Sequence, residues 1–283
     1  MNGHLIIKFI IKAGGVVLVL LFLLWGFIRF YQARGIYFPD NNVHRTPAGV
    51  ELEYRDTNLK AEDGTKLHGW YIPYKNSEKI LIYFHGNAGN ISHRLERLKL
   101  LNSLKLNVFI IDYRGYGKSQ GKPTEKGLYK DARAAYRHVK ETLNFCSENI
   151  VIYGKSLGGN VAIDLAADID EGILISESAF TSALEMGELV LPFVPRFLLE
   201  LFVTVDYNAS RRIKKVIQPK LIIHSREDQV TPYFMGEKLF EIAPEPKKFH
   251  SMRGRHNQTS RRELINWLKC IDEFIKNRLP NSR

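Results

Sequence analysis

Gly154-Lys155-Ser156-Leu157-Gly158 is the stretch best suited to chemistry in this sequence. A short apolar run, Val151-Ile152-Tyr153, enters it, and a run of helical character, Asn160 to Ala167, leaves it. Strand, sharp turn and helix with a serine at the tip is an arrangement that presents a nucleophilic hydroxyl. The turn strains the serine backbone and aims its hydroxyl away from the sheet. Gly154 and Gly158 lack a Cβ, so strand and helix can pass close beside it. The helix start directs free N–H groups, that of Leu157 first, at an oxyanion formed next to Ser156. Gly-x-Ser-x-Gly is short enough to arise by chance, so the rest of the chain has to supply its partners.

A serine hydroxyl is a poor nucleophile until a base takes its proton, usually a histidine oriented by a carboxylate. Behind such a turn the partners follow in the order Ser, Asp, His. The run Pro219 to His224 reads as a strand and ends in Ser225-Arg226-Glu227-Asp228-Gln229-Val230-Thr231-Pro232. An acid at the carboxyl end of a strand is well placed to reach the serine. Asp228 is the choice, with Glu227 the runner-up on the same ground; a turn or capping role is the alternative for Asp228. His256, in Arg253-Gly254-Arg255-His256-Asn257, lies between the last strand and the last helix and is assigned as the base. The alternative is a solvated loop histidine. His224 and His250 fall within strands, and the other histidines lie in the N-terminal run, the connector, a strand or helices. The loop His85-Gly86-Asn87-Ala88 follows a strand where a second oxyanion donor belongs. The backbone N–H of Asn87 is the candidate, paired with that of Leu157. An ordinary turn is the bland reading, and His85 itself is expected to be structural.

These residues need a scaffold of alternating elements. Val50 to Leu59 and Lys66 to Tyr74 read as strands joined by the turn Glu62-Asp63-Gly64-Thr65. Strands are also expected over Lys79–His85, Asn107–Tyr113, Asn149–Tyr153, Gly172–Glu177, Pro219–His224 and Lys248–Met252. Helices are expected over Ser92–Leu104, Thr124–Leu143, Tyr233–Ala243 and Ser260–Arg278. This alternation implies an α/β fold with a mostly parallel sheet covered on both faces. Phe180 to Val205 breaks it with an apolar, helix-like stretch, where a small lid would sit; Phe197 and Phe202 are its candidate groove residues. Pro192 and Pro195 are placed to kink it.

The chain has 283 residues, 45% hydrophobic, and a formal net charge of +11. Four cations and no acid in residues 1–35 leave +7 for the remainder. A basic excess suits nucleic acid or anionic lipid headgroups, or is simply a solvated surface. No zinc-finger, RNA-recognition or basic-zipper pattern supports nucleic acid. Cys146 and Cys270 have no metal-ligand spacing, and a single bridge between them stays open. Leu5 to Phe30 is the most hydrophobic stretch, charge-free from Ala13 to Ile28. Lys8 and Lys12 can snorkel, and Trp25, Phe27, Phe30 and Tyr31 sit where an interfacial belt belongs. The run leads into bulky and charged residues rather than a small-residue cleavage site, which favours an uncleaved single-pass anchor over a signal peptide. A buried core helix fits the all-round hydrophobicity poorly. Residues 1–35 are therefore read as the anchor and 36–283 as one domain with its lid at 180–205. The flanking charges lean towards the N-terminus inside and the domain on the non-cytoplasmic side.

With these residues in view the sequence resembles the α/β-hydrolase superfamily. More narrowly it is similar to membrane-anchored serine hydrolases of the serine-aminopeptidase-like and depalmitoylase-like group. The resemblance is carried by Tyr83-Phe84-His85-Gly86-Asn87-Ala88-Gly89-Asn90, Asp112-Tyr113-Arg114-Gly115-Tyr116-Gly117-Lys118-Ser119, Gly154 to Gly159, Glu177-Ser178-Ala179-Phe180-Thr181, Asp228 to Pro232 and Gly254-Arg255-His256-Asn257. It runs from about Val50 to the end. It implies the triad Ser156, Asp228 and His256 and a structural role for Asp112 and Arg114. The expected activity is hydrolysis of acyl esters or thioesters of amphiphilic substrates at a membrane, through an acyl-enzyme and without metal or organic cofactor. A peptidase acting on short peptides is one alternative, for which Glu177 or Glu185 would have to meet a substrate amine. A catalytically silent membrane-bound scaffold is the alternative of another class.

Overall fold

The computed structural model describes residues 3–278. Met1 and Asn2 of the expected anchor, and 279–283 of the expected domain, lie outside the described residues. Helix α1 (Gly3–Gly35) opens the chain. Its Ile6–Phe30 segment, 25 residues with mean hydropathy 2.5, is long and apolar enough to cross a membrane. At 1.5 Å per residue it spans about 37 Å, against about 30 Å of hydrocarbon. The helix runs on through Ala33 and Arg34 and stops at Gly35. Glycine is the usual residue for ending a helix, since it frees the chain to turn away.

The next elements are β1 (Phe38–Pro39), β2 (Arg55–Lys60), β3 (Lys66–Ile72), β4 (Ile80–Phe84) and β5 (Ala88–Gly89). They are followed by α2 (Leu95–Asn102), β6 (Asn107–Ile111), α3 (Glu125–Arg137), β7 (Ile150–Lys155), α4 (Leu157–Ala166) and β8 (Ile173–Glu177). Helices α5 (Ala183–Val190), α6 (Arg196–Phe202) and α7 (Ala209–Arg212) come before β9 (Lys220–Ser225). The chain closes with α8 (Tyr233–Ile242), β10 (Lys247–Met252) and α9 (Arg261–Arg278). Eight strands form one sheet in the order β10-β9-β8-β7-β4-β6-β3-β2. All neighbours from β6 to β10 run parallel; β2 and β3 form the antiparallel end.

Side chains alternate across each strand, so a sheet covered on both faces has two cores. Ile80, Ile82 and Phe84 of β4 face one apolar cluster, shared with Leu128 of α3, Val161 of α4 and Leu239 of α8. Leu81 and Tyr83 face the other, shared with Leu98 of α2 and Trp267 of α9. This is why these strands read as continuous apolar runs rather than as alternating ones.

Three expectations are corrected at element ends. Val50 closes a 3₁₀ turn, Pro47–Val50, and β2 starts only at Arg55. The helix expected over Ser92–Leu104 begins as a 3₁₀ turn capped by Asn90. The helix expected over Thr124–Leu143 has Thr124 as its cap and widens into a π-turn at His138–Thr142. The excursion between β8 and β9 holds α5 and α6, broken at Leu191–Pro195 where the two prolines stand. Ile28 of α1, Leu191, Val194, Leu199 and Phe202 bury one another in a third apolar cluster. The end of α1 is bound to the excursion by polar contacts as well. Gln32 donates to the Phe202 carbonyl at 3.3 Å and accepts from the Thr204 N–H at 3.1 Å, and Arg29 donates to the Thr204 hydroxyl.

Candidate active site

Ser156 sits between β7 and α4 with φ 56° and ψ −123°, a conformation that L-residues rarely adopt. Its N–H donates to the Glu177 carbonyl at 2.8 Å, which carries the sheet pairing to the very end of β7. A Cβ on Gly154 would collide with the Gly158 carbonyl, and one on Gly158 with the Phe84 carbonyl. Glycine at both places lets α4 start directly over the strand ends. The turn leaves Ser156 8% exposed, its hydroxyl reachable but shielded.

Asp228 and His256 arrive from the loops after β9 and β10. His256 Nε2 lies 3.0 Å from Ser156 Oγ, and His256 Nδ1 lies 2.7 Å from Asp228 Oδ2. An ionised carboxylate only accepts, so Nδ1 carries the proton and Nε2 is free to take the serine's. Burial pushes the Asp228 carboxyl up, but the hydrogen bond and charge of His256, with the Thr231 and Val230 N–H groups, outweigh it and bring it down to about 2. Both N–H groups reach Asp228 Oδ1 at 2.9 Å. The Thr231 hydroxyl lies 3.1 Å from both Asp228 Oδ2 and the Ser178 carbonyl oxygen. Glu227 accepts from the Gly254 N–H instead and has no contact with His256. Thr231 and Gln229, which accepts from the His256 N–H at 3.3 Å, were not singled out by sequence. An aspartate followed at two and three residues by free N–H groups is the signal of an Asx-type turn that would have exposed Thr231.

The loop after β4 passes beside Ser156: a Cβ on Gly86 would stand 3.6 Å from the serine Cβ. Asn87 is clamped there. Its carbonyl accepts from the Phe38 N–H at 3.0 Å and the Tyr116 hydroxyl at 2.7 Å, and its amide donates to the Ile36 carbonyl at 3.1 Å. Its N–H has no acceptor among the described residues, and Leu157, first in α4, has no intrahelical one. Both N–H groups are thus left without a protein acceptor, one on the residue that follows Ser156 and one on the loop that passes beside it. His85 is fully buried against Tyr113 and Tyr116, and burial lowers it to about 4, so it stays neutral. Asp112 accepts from the Ile91 N–H at 2.9 Å, while Arg114 is bound to Asp131 and Asp63. Both are structural.

Two cavities share Asn87 as a lining residue. A polar one of about 350 Å³ contains Ser156 and His256 and is edged by Arg94, Arg97 and Lys155. An apolar one of about 480 Å³ adjoins Asn87 and Leu157 and is walled by Ile28 and Gln32 of α1 and by Met186, Val190 and Leu199 of the excursion. Phe197 and Phe202 line neither; Phe197 is 66% exposed and Phe202 packs in the third cluster. Glu177 does not present a free carboxylate. It is buried and receives Arg97 at 3.2 Å, Lys155 at 3.3 Å, the Tyr153 hydroxyl at 2.6 Å and the Trp267 indole at 2.8 Å. Glu185 is engaged by Lys238 and Thr181. Asp40, His44 and His93 bring ligand atoms within 4.8 Å of one another and form a group that could hold a metal; none of them touches Ser156, Asp228 or His256. Cys146 and Cys270 are free thiols.

Residues 75–211 match the family model described as serine aminopeptidase, S33. Protein bem46 of Schizosaccharomyces pombe is 37% identical over 251 residues, covering 83% of each chain. The α/β hydrolase domain-containing protein WAV2 of Arabidopsis thaliana is 35% identical over 234 residues, covering 75% of this chain and 76% of that one. The chain belongs to the α/β-hydrolase family. An esterase of Pyrococcus furiosus has the same fold, with a TM-score of 0.71 at 23% identity over 87% of this chain and 100% of that one. Membership supports a hydrolytic activity. It leaves the bond and the substrate to the chemistry of the site.

Proposed function

We propose that the protein is a serine hydrolase that cleaves acyl esters or thioesters of amphiphilic molecules at a membrane surface. Ser156 Oγ attacks the acyl carbonyl while His256 Nε2 takes its proton. The oxyanion is received by the Asn87 and Leu157 N–H groups, each such donor being worth about 3–4 kcal/mol. His256 returns the proton to the leaving group, and Asp228 holds the imidazole and stabilises its cation. Water then releases the acyl group by the same route. The observation that carries this reading is the unbroken relay of 3.0 and 2.7 Å from hydroxyl to carboxylate, opening beside an apolar cavity.

The wall of that cavity favours lipid-like acyl groups. Ile28 and Gln32 belong to the helix that is apolar enough to span a bilayer, so the cavity opens near the end of the span. The same contacts favour a retained anchor, because cleavage after the apolar run would strip one wall away. The peptidase alternative loses its two candidate amine partners, since Glu177 and Glu185 are already engaged. Fluorophosphonate labelling, with p-nitrophenyl esters from acetyl to dodecanoyl, tests the proposal. Labelling at Ser156 and kcat/KM rising with chain length are expected. An unlabelled Ser156, or aminoacyl amides as the best substrates, would sink it.

A further inference from the structure

The polar cavity beside Ser156 is basic in a way the hydrolytic relay does not use. Arg94, Arg97 and Lys155 line it, and none of these three cations lines the apolar cavity. Arg97 and Lys155 share a single carboxylate, that of buried Glu177, which can neutralise only one of them. Glu96 is on the outer rim, 80% exposed and 3.9 Å from Arg45. Arg94 has no acidic partner among the described residues. Its guanidinium donates to the Ala88 carbonyl, and its Nε is buried with no acceptor. The guanidinium is only half-buried and lines the cavity, and arginine's planar fork matches phosphate oxygens.

Resting on the hydrolase reading above, we propose that this cavity is a leaving-group subsite for phosphate-bearing acyl esters or thioesters. The acyl chain occupies the apolar cavity, and the phosphate meets Arg94 and the excess charge of Arg97 and Lys155. In the reaction the carbonyl carbon bonds to Ser156 Oγ, and the C–O or C–S bond to the leaving group breaks. The leaving oxygen or sulfur takes the proton from His256 and departs carrying its phosphate. Water supplies the second half-reaction, and no other reactant is needed. The chemistry is shared by a lysophospholipid's glycerophosphate and by the phosphorylated carrier of an acyl thioester.

The test compares kcat/KM of the full-length protein for matched pairs: 1-oleoyl lysophosphatidic acid against 1-oleoylglycerol, and oleoyl-coenzyme A against S-oleoyl-N-acetylcysteamine. At least one phosphorylated member should exceed its neutral partner by about tenfold, the scale of one charge-assisted hydrogen bond. The pair that does so names the source of the phosphate. Arg94→Gln should reduce that ratio by about tenfold and Arg94→Lys should restore part of it. A ratio of one or less in both pairs, or one that Arg94→Gln leaves unchanged, overturns the subsite. Should the variant fail to fold, glycerol 3-phosphate is expected to slow fluorophosphonate labelling of the unaltered protein where glycerol does not; equal rates overturn the proposal. Failure of the hydrolase reading looks different: neutral esters would be cleaved equally well by Ser156→Ala.

Discussion

One imidazole handles both the proton of Ser156 and the charge of Asp228, so the three side chains should act as a unit. Ser156→Ala and His256→Ala should each lower kcat by about 10⁴-fold or more, and the double variant should be no worse than either. Multiplying losses, measured with one ester substrate, would mean that the residues do not cooperate. Glu177 is the second residue on which the site depends, for the opposite reason: it supports without reacting. Burial raises its carboxyl, yet Arg97, Lys155, Tyr153 and Trp267 bring it from 4.5 to about 2. A carboxyl depressed on folding stabilises fully above its unfolded value and ceases to as it is protonated. Thermal stability should therefore fall between about pH 4.5 and 2, and Glu177→Gln should flatten that fall. At neutral pH the same change should cost about 3–5 kcal/mol, because it strands buried cations. Unchanged melting temperatures at pH 7 would contradict it. The meeting of Ser156, Asp228 and His256 was legible in the sequence because each follows a strand end, in a fixed order. Glu177's role was not: its partners come from α2, β7 and α9, and no local spacing records a meeting of three distant elements.

At the scale of elements, the strands were legible because both faces of the sheet are covered, which leaves unbroken apolar runs. The excursion was legible as apolar, but not in which residues it turns inward. Phe197 looked inward by type, whereas Met186, Val190 and Leu199 line the cavity. Type alone fails here because α5 and α6 are short, and α1, a remote element, decides which face is covered. Gly187 of α5 offers a direct test. It lines the apolar cavity, and a Cβ there would find Leu199 Cδ1 no closer than 3.9 Å. Gly187→Ala should be tolerated and should raise stability by up to about 1 kcal/mol, the helix propensity gained. Gly187→Leu should fill part of the apolar cavity, the place proposed for the acyl chain. The ester chain-length optimum should then move to shorter chains, with acetyl ester hydrolysis less affected than dodecanoyl. An unchanged chain-length profile in Gly187→Leu would mean that acyl groups bind elsewhere.

For the whole molecule, the decisive contact is between α1 and the excursion. A membrane helix tied to its domain only by a loose connector would have no bearing on catalysis. Here Ile28 is buried among Leu191, Val194, Leu199 and Phe202, and Gln32 holds Thr204 and the Phe202 carbonyl. The sequence showed an apolar run of membrane length but nothing of this packing, since contacts between residues some 170 positions apart leave no local mark. If α1 both anchors the protein and completes the cavity, the two roles should separate by mutation. Carbonate extraction should leave the full-length protein in the membrane fraction, and its intact mass should include the apolar run. Ile28→Ala combined with Gln32→Ala removes packing and hydrogen bonds while leaving the span apolar, so membrane retention should persist. Ile28→Ala removes three buried side-chain carbons, a cost of about 2–5 kcal/mol, and Gln32→Ala removes the three hydrogen bonds to Phe202 and Thr204, at about 1 kcal/mol each, all where α1 meets the excursion. A loosened cavity wall should reduce kcat/KM for long-chain esters more than for acetyl esters, with labelling of Ser156 by a small fluorophosphonate nearly unchanged. Equal losses for short and long chains would assign α1 to anchoring alone. Release of the double variant by carbonate would show that the domain's contacts, rather than the apolar run, hold the protein at the membrane.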